Sequence, residues 1–596
     1  MTSHEGRPHR TTRVRPGVLL EHDVVVPMSD GLGLRVNVFR PEGDVRSPVI
    51  VTHGVYGKDV EWSSAPPYRA AWQELLRKLP DLAKHSSLRF MRWEMPDPER
   101  WVPWGYAVIH ADARGTGKTP GHLEPMSPRE IEDYCALIAW AASQPWSNGR
   151  VGVMGISYYA ITAWRVAAER PAGLAAIVPW EGAFDHYRDI TMHGGIPSRF
   201  FIDAWYRRQV LANAHGRQSP ALRDAISGRS GASPMSDGAA FPSGHADLSE
   251  LFEQHPFDDA FHVARTPDPA AIEVPLLSVG NWGGVGLHLR GNIEGFVNAR
   301  SPAKWLRIHS GDHFSPFYSE ASLAMQRRFL DHFLRDADNG WEREPRVSFV
   351  VRDPHDPTRR RQSDRWPLPE TRWTQLYLDG ERRCLSETPS PTSIELGYAS
   401  TSPGVTFCLP PRRAPMELAG PVRAKLWVRC ERADMDLFVV LRLLDPNGHD
   451  VTFEGANAAA VPVTLGWLRL SHRSLDATRS LPFRPYHSHT SAVRLAPGEI
   501  VAANVEIWPT SVVVPRGYSL ALTVLAHDFT FGRARSALAG ALAKSGRKLP
   551  LLAAYVTRGT APFLHDARDP GRFGGVQHIL CGGEHDSHLC VPVIPG

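Results

Sequence analysis

The chain has 596 residues, 42% of them hydrophobic and 22% charged, a globular balance that excludes wholesale disorder. That length fits about two to four domains. The 50 glycines and 51 prolines disfavour a helical bundle or coiled coil, and a net charge of +4 leaves no nucleic-acid footprint.

The opening segment MTSHEGRPHRTTRVRPG is basic but lacks the apolar core of a signal peptide. No run reaches the roughly 18 apolar residues of a membrane span. The six cysteines are scattered without a CxxC pair, which disfavours a disulfide scaffold and makes the cytoplasm the expected compartment.

From Leu19 to Thr52 three short strands alternate with turns, and GYAVIHAD (Gly105 to Asp112) is a further strand that ends in glycine-rich ARGTGKTPG. PREIEDYCALIAWAASQ places Ile131, Tyr134, Cys135, Ile138 and Ala142 at helical spacing, with Ser127 as N-cap and Pro128 in the first turn. GRVGVMG is an apolar strand, SYYAITAWRVAAERP a helix and LAAIVPWEG a strand. Apolar strands alternating with amphipathic helices predict a mostly parallel sheet covered on both faces.

Between about Asp189 and Asp268 the alternation breaks. IPSRFFIDAWYRRQVLANA reads as helix and RSGASPMSDGAAFPSG as a polar loop, together an inserted helical cap over 189–268. VPLLSVG and AKWLRIHSG resume the sheet, and SLAMQRRFLDHFL closes this part with a helix. The core is thus expected in two pieces, 1–188 and 269–338. After Asn339 the strands VSFVVRD, TQLYLDG, VRAKLWVRC, DLFVVLRLLD, VAANVEIWPTSVVV and YSLALTVLAHD follow without helices. They predict a β-sandwich or jelly roll over 339–596. ARSALAGALAKSG reads as a loop or short helix. CGGEHDSHLC, with Cys581, His585, His588 and Cys590, fits no common zinc spacing and reads as strand–turn–strand.

GRVGVMGISYYAITAW is the most informative segment. An apolar strand runs into Ser157 and a helix follows at once, the context of a nucleophile elbow. The second glycine of G-x-S-x-G is absent, since position 159 is tyrosine. The competing reading of Ser157 is a helix cap. A serine hydroxyl needs a base, usually histidine at neutral pH. Of the 27 histidines, His313 stands out two residues beyond the last core strand, whereas His309 lies within it.

These stretches, with DGLGLRVNVFRP, VYGKD, GYAVIHADARGTGKTPG, SGDHFSP, GWLRLSHRSLD, LAPGEIVAANVEIWPTS and LCVPVIP, resemble in collinear order the cocaine esterase and X-prolyl dipeptidyl-peptidase family of serine hydrolases. That family includes α-amino-acid ester hydrolases and glutaryl acylases. The resemblance implies an α/β-hydrolase domain, an inserted helical cap and a C-terminal jelly roll. It carries the nucleophile onto Ser157 and the histidine onto His313. It also carries an oxyanion-holding phenol onto Tyr56, with the Tyr158 backbone N–H as second donor.

The family acid does not carry over. A pattern like G-W-Y-D-G is replaced by Gly280-Asn281-Trp282-Gly283-Gly284, with Gly284 in the aspartate's place. Three readings stay open: an acid from the preceding strand end, a Ser–His dyad, or lost catalysis. Glu181 of PWEGAFD is favoured because a strand-end carboxylate can reach the imidazole from a neighbouring strand. A Glu181–His313 separation of roughly 2.6–3.2 Å is expected. Asp185 stands second, Glu294 is remote, and Asp312 should point away from its neighbour.

The resemblance further implies that Asp112 and Arg114, in a turn similar to the family's D-x-R-G, stiffen their loop by mutual contact. It likewise implies that Asp258 and Asp259 mark the junction of cap and core. Trp93, Trp101 and Trp104 could wall the pocket, and His288 with Arg290 is read as a local hydrogen-bond network.

The reading is a metal- and cofactor-independent serine hydrolase. It cleaves an ester, or an amide, of a small-molecule substrate through an acyl-enzyme, with His313 shuttling the proton. An aminopeptidase or amidase of the X-Pro dipeptidyl-peptidase type, and a non-catalytic protein that binds through its jelly roll, are the alternatives. No nucleic-acid or membrane partner is expected, and a homodimer is compatible with the chain.

Overall fold

The structure is a computed structural model that describes residues 10–595 except 65, 199–203, 218, 229–243, 531–564 and 566–568. Eleven strands form the first sheet. In chain order they are β1 (Arg10–Arg15), β2 (Val18–Pro27), β3 (Gly33–Pro41), β4 (Ser47–Gly54), β5 (Ala107–Asp112) and β6 (Ser147–Ile156). They continue as β7 (Leu174–Trp180), β8 (Leu276–Asn281), β9 (Lys304–His309), β10 (Val347–Val350) and β11 (Arg360–Ser363). Their spatial order is β1-β2-β3-β5-β4-β6-β7-β8-β9-β10-β11. From β5 to β10 every pairing is parallel, and the flanking strands are antiparallel.

Local chemistry sets the connections. Ser127 caps the helix Pro128–Ser143 by accepting from the Glu130 N–H, and proline fills its first turn. The apolar runs of β4, β5 and β8 are buried throughout, as strands covered on both faces must be. Register then aligns the carboxyl ends: Trp180 pairs with Ile156 on one side and Val279 on the other, and Asn281 pairs with His309. Loop residues that follow these strands emerge at one edge of the sheet.

A second sheet of 12 strands closes on itself, because the last strand, His588–Ile594, pairs with both Arg372–Asp379 and Met416–Cys430. This is the jelly-roll-like C-terminal part. The α/β-hydrolase core and this β domain share a continuous apolar cluster, with Trp282 and Val285 from one side and Phe438, Trp467 and Trp508 from the other.

Three sequence expectations change. VSFVVRD does not open the β domain: Val347–Val350 lies parallel to β9, so the first sheet continues to Ser363, beyond the expected boundary at 338. Of the helix expected over 196–214, Ile196–Pro197 instead pairs as a short hairpin with Met192–His193. Residues 204–213 are helical as expected, α over 204–205, π over Tyr206–Val210 and 3-10 over Leu211–Asn213. Arg114 pairs with Asp133 and Asp30 rather than with Asp112, whose carboxylate accepts from the Lys58 and Lys118 backbone N–H groups. Most of RSGASPMSDGAAFPSG and all of ARSALAGALAKSG lie outside the described residues. CGGEHDSHLC is strand–turn–strand, between Val576–Cys581 and His588–Ile594.

Candidate active site

Ser157 leaves β6 with φ 58° and ψ −110° and is followed at once by the helix Tyr158–Glu169. A non-glycine residue there carries about 1–3 kcal/mol of backbone strain, which persists only where the surroundings impose it. They do. The Ser157 N–H donates to the Trp180 carbonyl at 2.9 Å, and its own carbonyl accepts from Ala160 and Ile161. Gly155 is required by close approach: a Cβ there would fall 2.5 Å from that of Tyr159, the residue in place of the motif's second glycine. Tyr158 is the first helical residue, so its N–H has no intrahelical acceptor.

Tyr56 follows β4 and is buried beside Tyr158 and Tyr159. The Trp205 indole N–H donates to its oxygen at 2.9 Å. Burial, with the Glu94 carboxylate nearby, holds the phenol far above its ordinary value, so it stays neutral.

The His288 ring lies beside the serine and the His313 ring stacks on it, parallel within 11° and 4.9 Å apart between centroids. His313 Nδ1 is 2.7 Å from Glu181 Oε2, inside the separation expected from the sequence. His313 Nε2 is 3.1 Å from Glu94 Oε1. The ring nitrogen at Ser157 belongs instead to His288, with Nε2 3.3 Å from Oγ. His313, expected against the serine, is drawn between two buried carboxylates.

Burial opposes the charge on His313, but Glu181 and Glu94 outweigh it and raise its pKa to about 10. Burial likewise opposes the Glu181 carboxylate, yet His313 and His309 bring it down to about 2. Burial and the charge on His313 hold His288 neutral, down to about 3. Burial pushes Glu94 upward. Glu181 is further held by Asn281 Nδ2 at 3.2 Å and His309 Nε2 at 3.1 Å.

The remaining candidates do other work. Asp185 caps the π turn His186–Thr191 and pairs with Arg188 at 2.9 Å. Glu294 pairs with Arg484. Asp312 accepts from the Phe314 and Ser315 N–H groups and pairs with Lys78. A Cβ at Gly284 would sit 3.2 Å from both the Asn281 carbonyl oxygen and the His288 Cβ, so a side chain in the missing acid's place would press on the His288 backbone turn.

Asp258 binds Arg188, while Asp259 caps the turn Ala260–Val263. Trp93 packs on Tyr56, whereas Trp101 and Trp104 pack on each other. Arg290 bridges Asp189 and Glu506. His22, Asp23 and Asp59 come within metal-ligand distance of one another, but the Lys58 and Lys118 ammonium groups already neutralise these carboxylates.

Sequence reasoning missed Glu94 and Trp205. Glu94 lies in the loop MRWEMPDP, where nothing local sets it apart from Asp97 in the same stretch. Trp205 comes from the cap, where nothing in the sequence ties it to Tyr56.

Comparison with known proteins bears on what such a site does. A family model described as X-Pro dipeptidyl-peptidase (S15 family) matches residues 30–315. One described as the X-Pro dipeptidyl-peptidase C-terminal non-catalytic domain matches 339–590. The chain is 23% identical to the cocaine esterase of Rhodococcus sp., covering 96% of this chain and 98% of that one. An α-amino acid ester hydrolase structure shares the fold at 16% identity and TM-score 0.65, covering 99% of each chain. A crystal structure of a CocE/NonD family hydrolase from Staphylococcus aureus superposes with TM-score 0.80 at 31% identity, over 97% of this chain and 94% of that one. Full-length likeness at that identity, around a strained serine flanked by histidines and a buried phenol, makes this chain a serine hydrolase belonging to the CocE/NonD family.

Proposed function

We propose that the protein hydrolyses esters of small acyl groups through a covalent intermediate on Ser157. The observation that carries this reading is the serine's strained turn between β6 and its helix, opposite the Tyr56 phenol. The hydroxyl adds to the substrate carbonyl as its proton passes to the paired imidazoles. The developing oxyanion is held by the Tyr56 hydroxyl and the Tyr158 N–H, each such donor contributing about 3–4 kcal/mol. Glu181 fixes the His313 ring through Nδ1 and balances its charge. Water then repeats the sequence on the acyl-enzyme and releases the acid.

An ester leaving group needs less protonation than an amine. Turnover of p-nitrophenyl acetate is therefore expected to exceed that of an Xaa-Pro p-nitroanilide. Ser157→Ala should abolish ester turnover and labelling by a fluorophosphonate probe, with the label mapping to the Ser157 peptide in the unaltered protein. Undiminished turnover by purified Ser157→Ala protein would remove the assignment. Faster anilide than ester turnover would favour the peptidase reading that the family model's description suggests.

A further inference from the structure

We propose that His288 is the group that takes the proton from Ser157, with His313 acting one ring behind it. This rests on Ser157 being the nucleophile and assigns the base within that reading.

Geometry is the ground. His288 Nε2 stands 3.3 Å from the serine oxygen, while both nitrogens of His313 are engaged, by Glu181 at 2.7 Å and Glu94 at 3.1 Å. A base must hold a nitrogen lone pair toward the hydroxyl it deprotonates. His313 as seated here has none to spare. His288 Nδ1 has no hydrogen-bond partner among the described residues, so that nitrogen can carry the ring's own proton and leave the lone pair on Nε2.

The loop explains how the ring arrives there. The segment after β8 that bears an aspartate in the family pattern reads NWGGVGLH here. Gly284, in the aspartate's place, lies against the backbone and Cβ of His288. The loop after β8 thus carries no acid at 284 and presents the His288 imidazole to the serine.

The proton balance follows. As the Ser157 Oγ–carbon bond forms, the hydroxyl proton moves to His288 Nε2 and the carbonyl π pair moves onto oxygen. His288 becomes a cation facing the ring of His313. Two stacked cations repel, and His313 relieves this by passing its Nε2 proton to Glu94, whose burial already favours the protonated acid. One positive charge stays in the ring pair throughout. On collapse, His288 gives its proton to the leaving-group oxygen as the carbon–oxygen bond breaks, and Glu94 returns its proton to His313.

The test uses the full-length protein, p-nitrophenyl acetate, and the pre-steady-state rate of acylation. His288→Ala should lower that rate by about 10²–10⁴-fold, and added imidazole should restore part of it. Ser157→Ala should stay inactive with imidazole present. A His288→Ala rate within tenfold of the unaltered protein, or a loss that imidazole leaves in place, overturns the proposal. If the alanine variant melts early, His288→Asn is read for the same loss, and a rate within tenfold again overturns it. Activity surviving in Ser157→Ala would instead defeat the underlying serine reading, so the two failures are distinguishable.

Discussion

In the proposed mechanism the Tyr56 phenol directs its proton toward the oxyanion, which leaves its oxygen to accept from a donor of its own. Trp205 supplies one at 2.9 Å, which fixes the ring oxygen and strengthens the outgoing hydrogen bond by polarisation. Tyr56→Phe should lower kcat by about 10²–10³-fold with little change in KM. Trp205→Phe should produce a smaller loss that disappears when introduced into Tyr56→Phe, because the indole acts only through that hydroxyl. Equal losses in both backgrounds would reduce Trp205 to packing. Ser157 was legible in the sequence because strand, serine and helix are contiguous there. Glu181 was legible because strand ends in a parallel sheet share an edge. His288, Glu94 and Trp205 were not, since each reaches the site through a loop whose path no local pattern encodes.

Between β7 and the cap, the π turn His186–Thr191 ties three parts of the chain together. Arg188, buried on that turn, pairs with Asp185 at 2.9 Å and Asp258 at 2.6 Å, and donates to the His487 carbonyl at 2.8 Å. Its guanidinium also faces the Tyr486 ring. Removing one partner from such a network leaves buried charge uncompensated. Arg188→Met should therefore destabilise the protein by about 3–5 kcal/mol, seen as an earlier denaturant midpoint, while Asp259→Asn at the more exposed neighbouring cap should have a much smaller effect. Elements with their own signals, such as the helix capped by Ser127, were readable from sequence. The strand Val347–Val350 was not assignable, because its alternating pattern suits either sheet. The pairing of Leu306 with Val347 decides the matter, and pairing partners are a property of the folded whole.

Across the molecule, buried histidines gather where the β domain meets the core. Burial and the Arg469 charge bring His472 down to about 4, and burial and Arg188 bring His487 down to about 3. These values lie below the roughly 6.5 of an unfolded histidine, so the unfolded chain takes up protons first. Each ring's contribution is complete above pH 6.5 and is lost on acidification toward pH 3–4, with a slope of about 1.4 kcal/mol per unit. Urea midpoints should fall steeply between pH 6.5 and 4, and His487→Gln should flatten that fall; an unchanged slope would place the acid sensitivity elsewhere. The same junction reaches the reaction centre. Gly283 lies so near Gly455 that a Cβ would come within 2.5 Å of its Cα. Ala456 donates to the Gly283 carbonyl at 3.1 Å and accepts from the His313 N–H at 3.1 Å. The backbone that holds the imidazole is thus anchored partly by a loop some 140 residues downstream on the chain. Cleavage between the halves would therefore not release a smaller working enzyme. Protease nicking, gene splitting or fusion at that seam would be felt first as lost turnover.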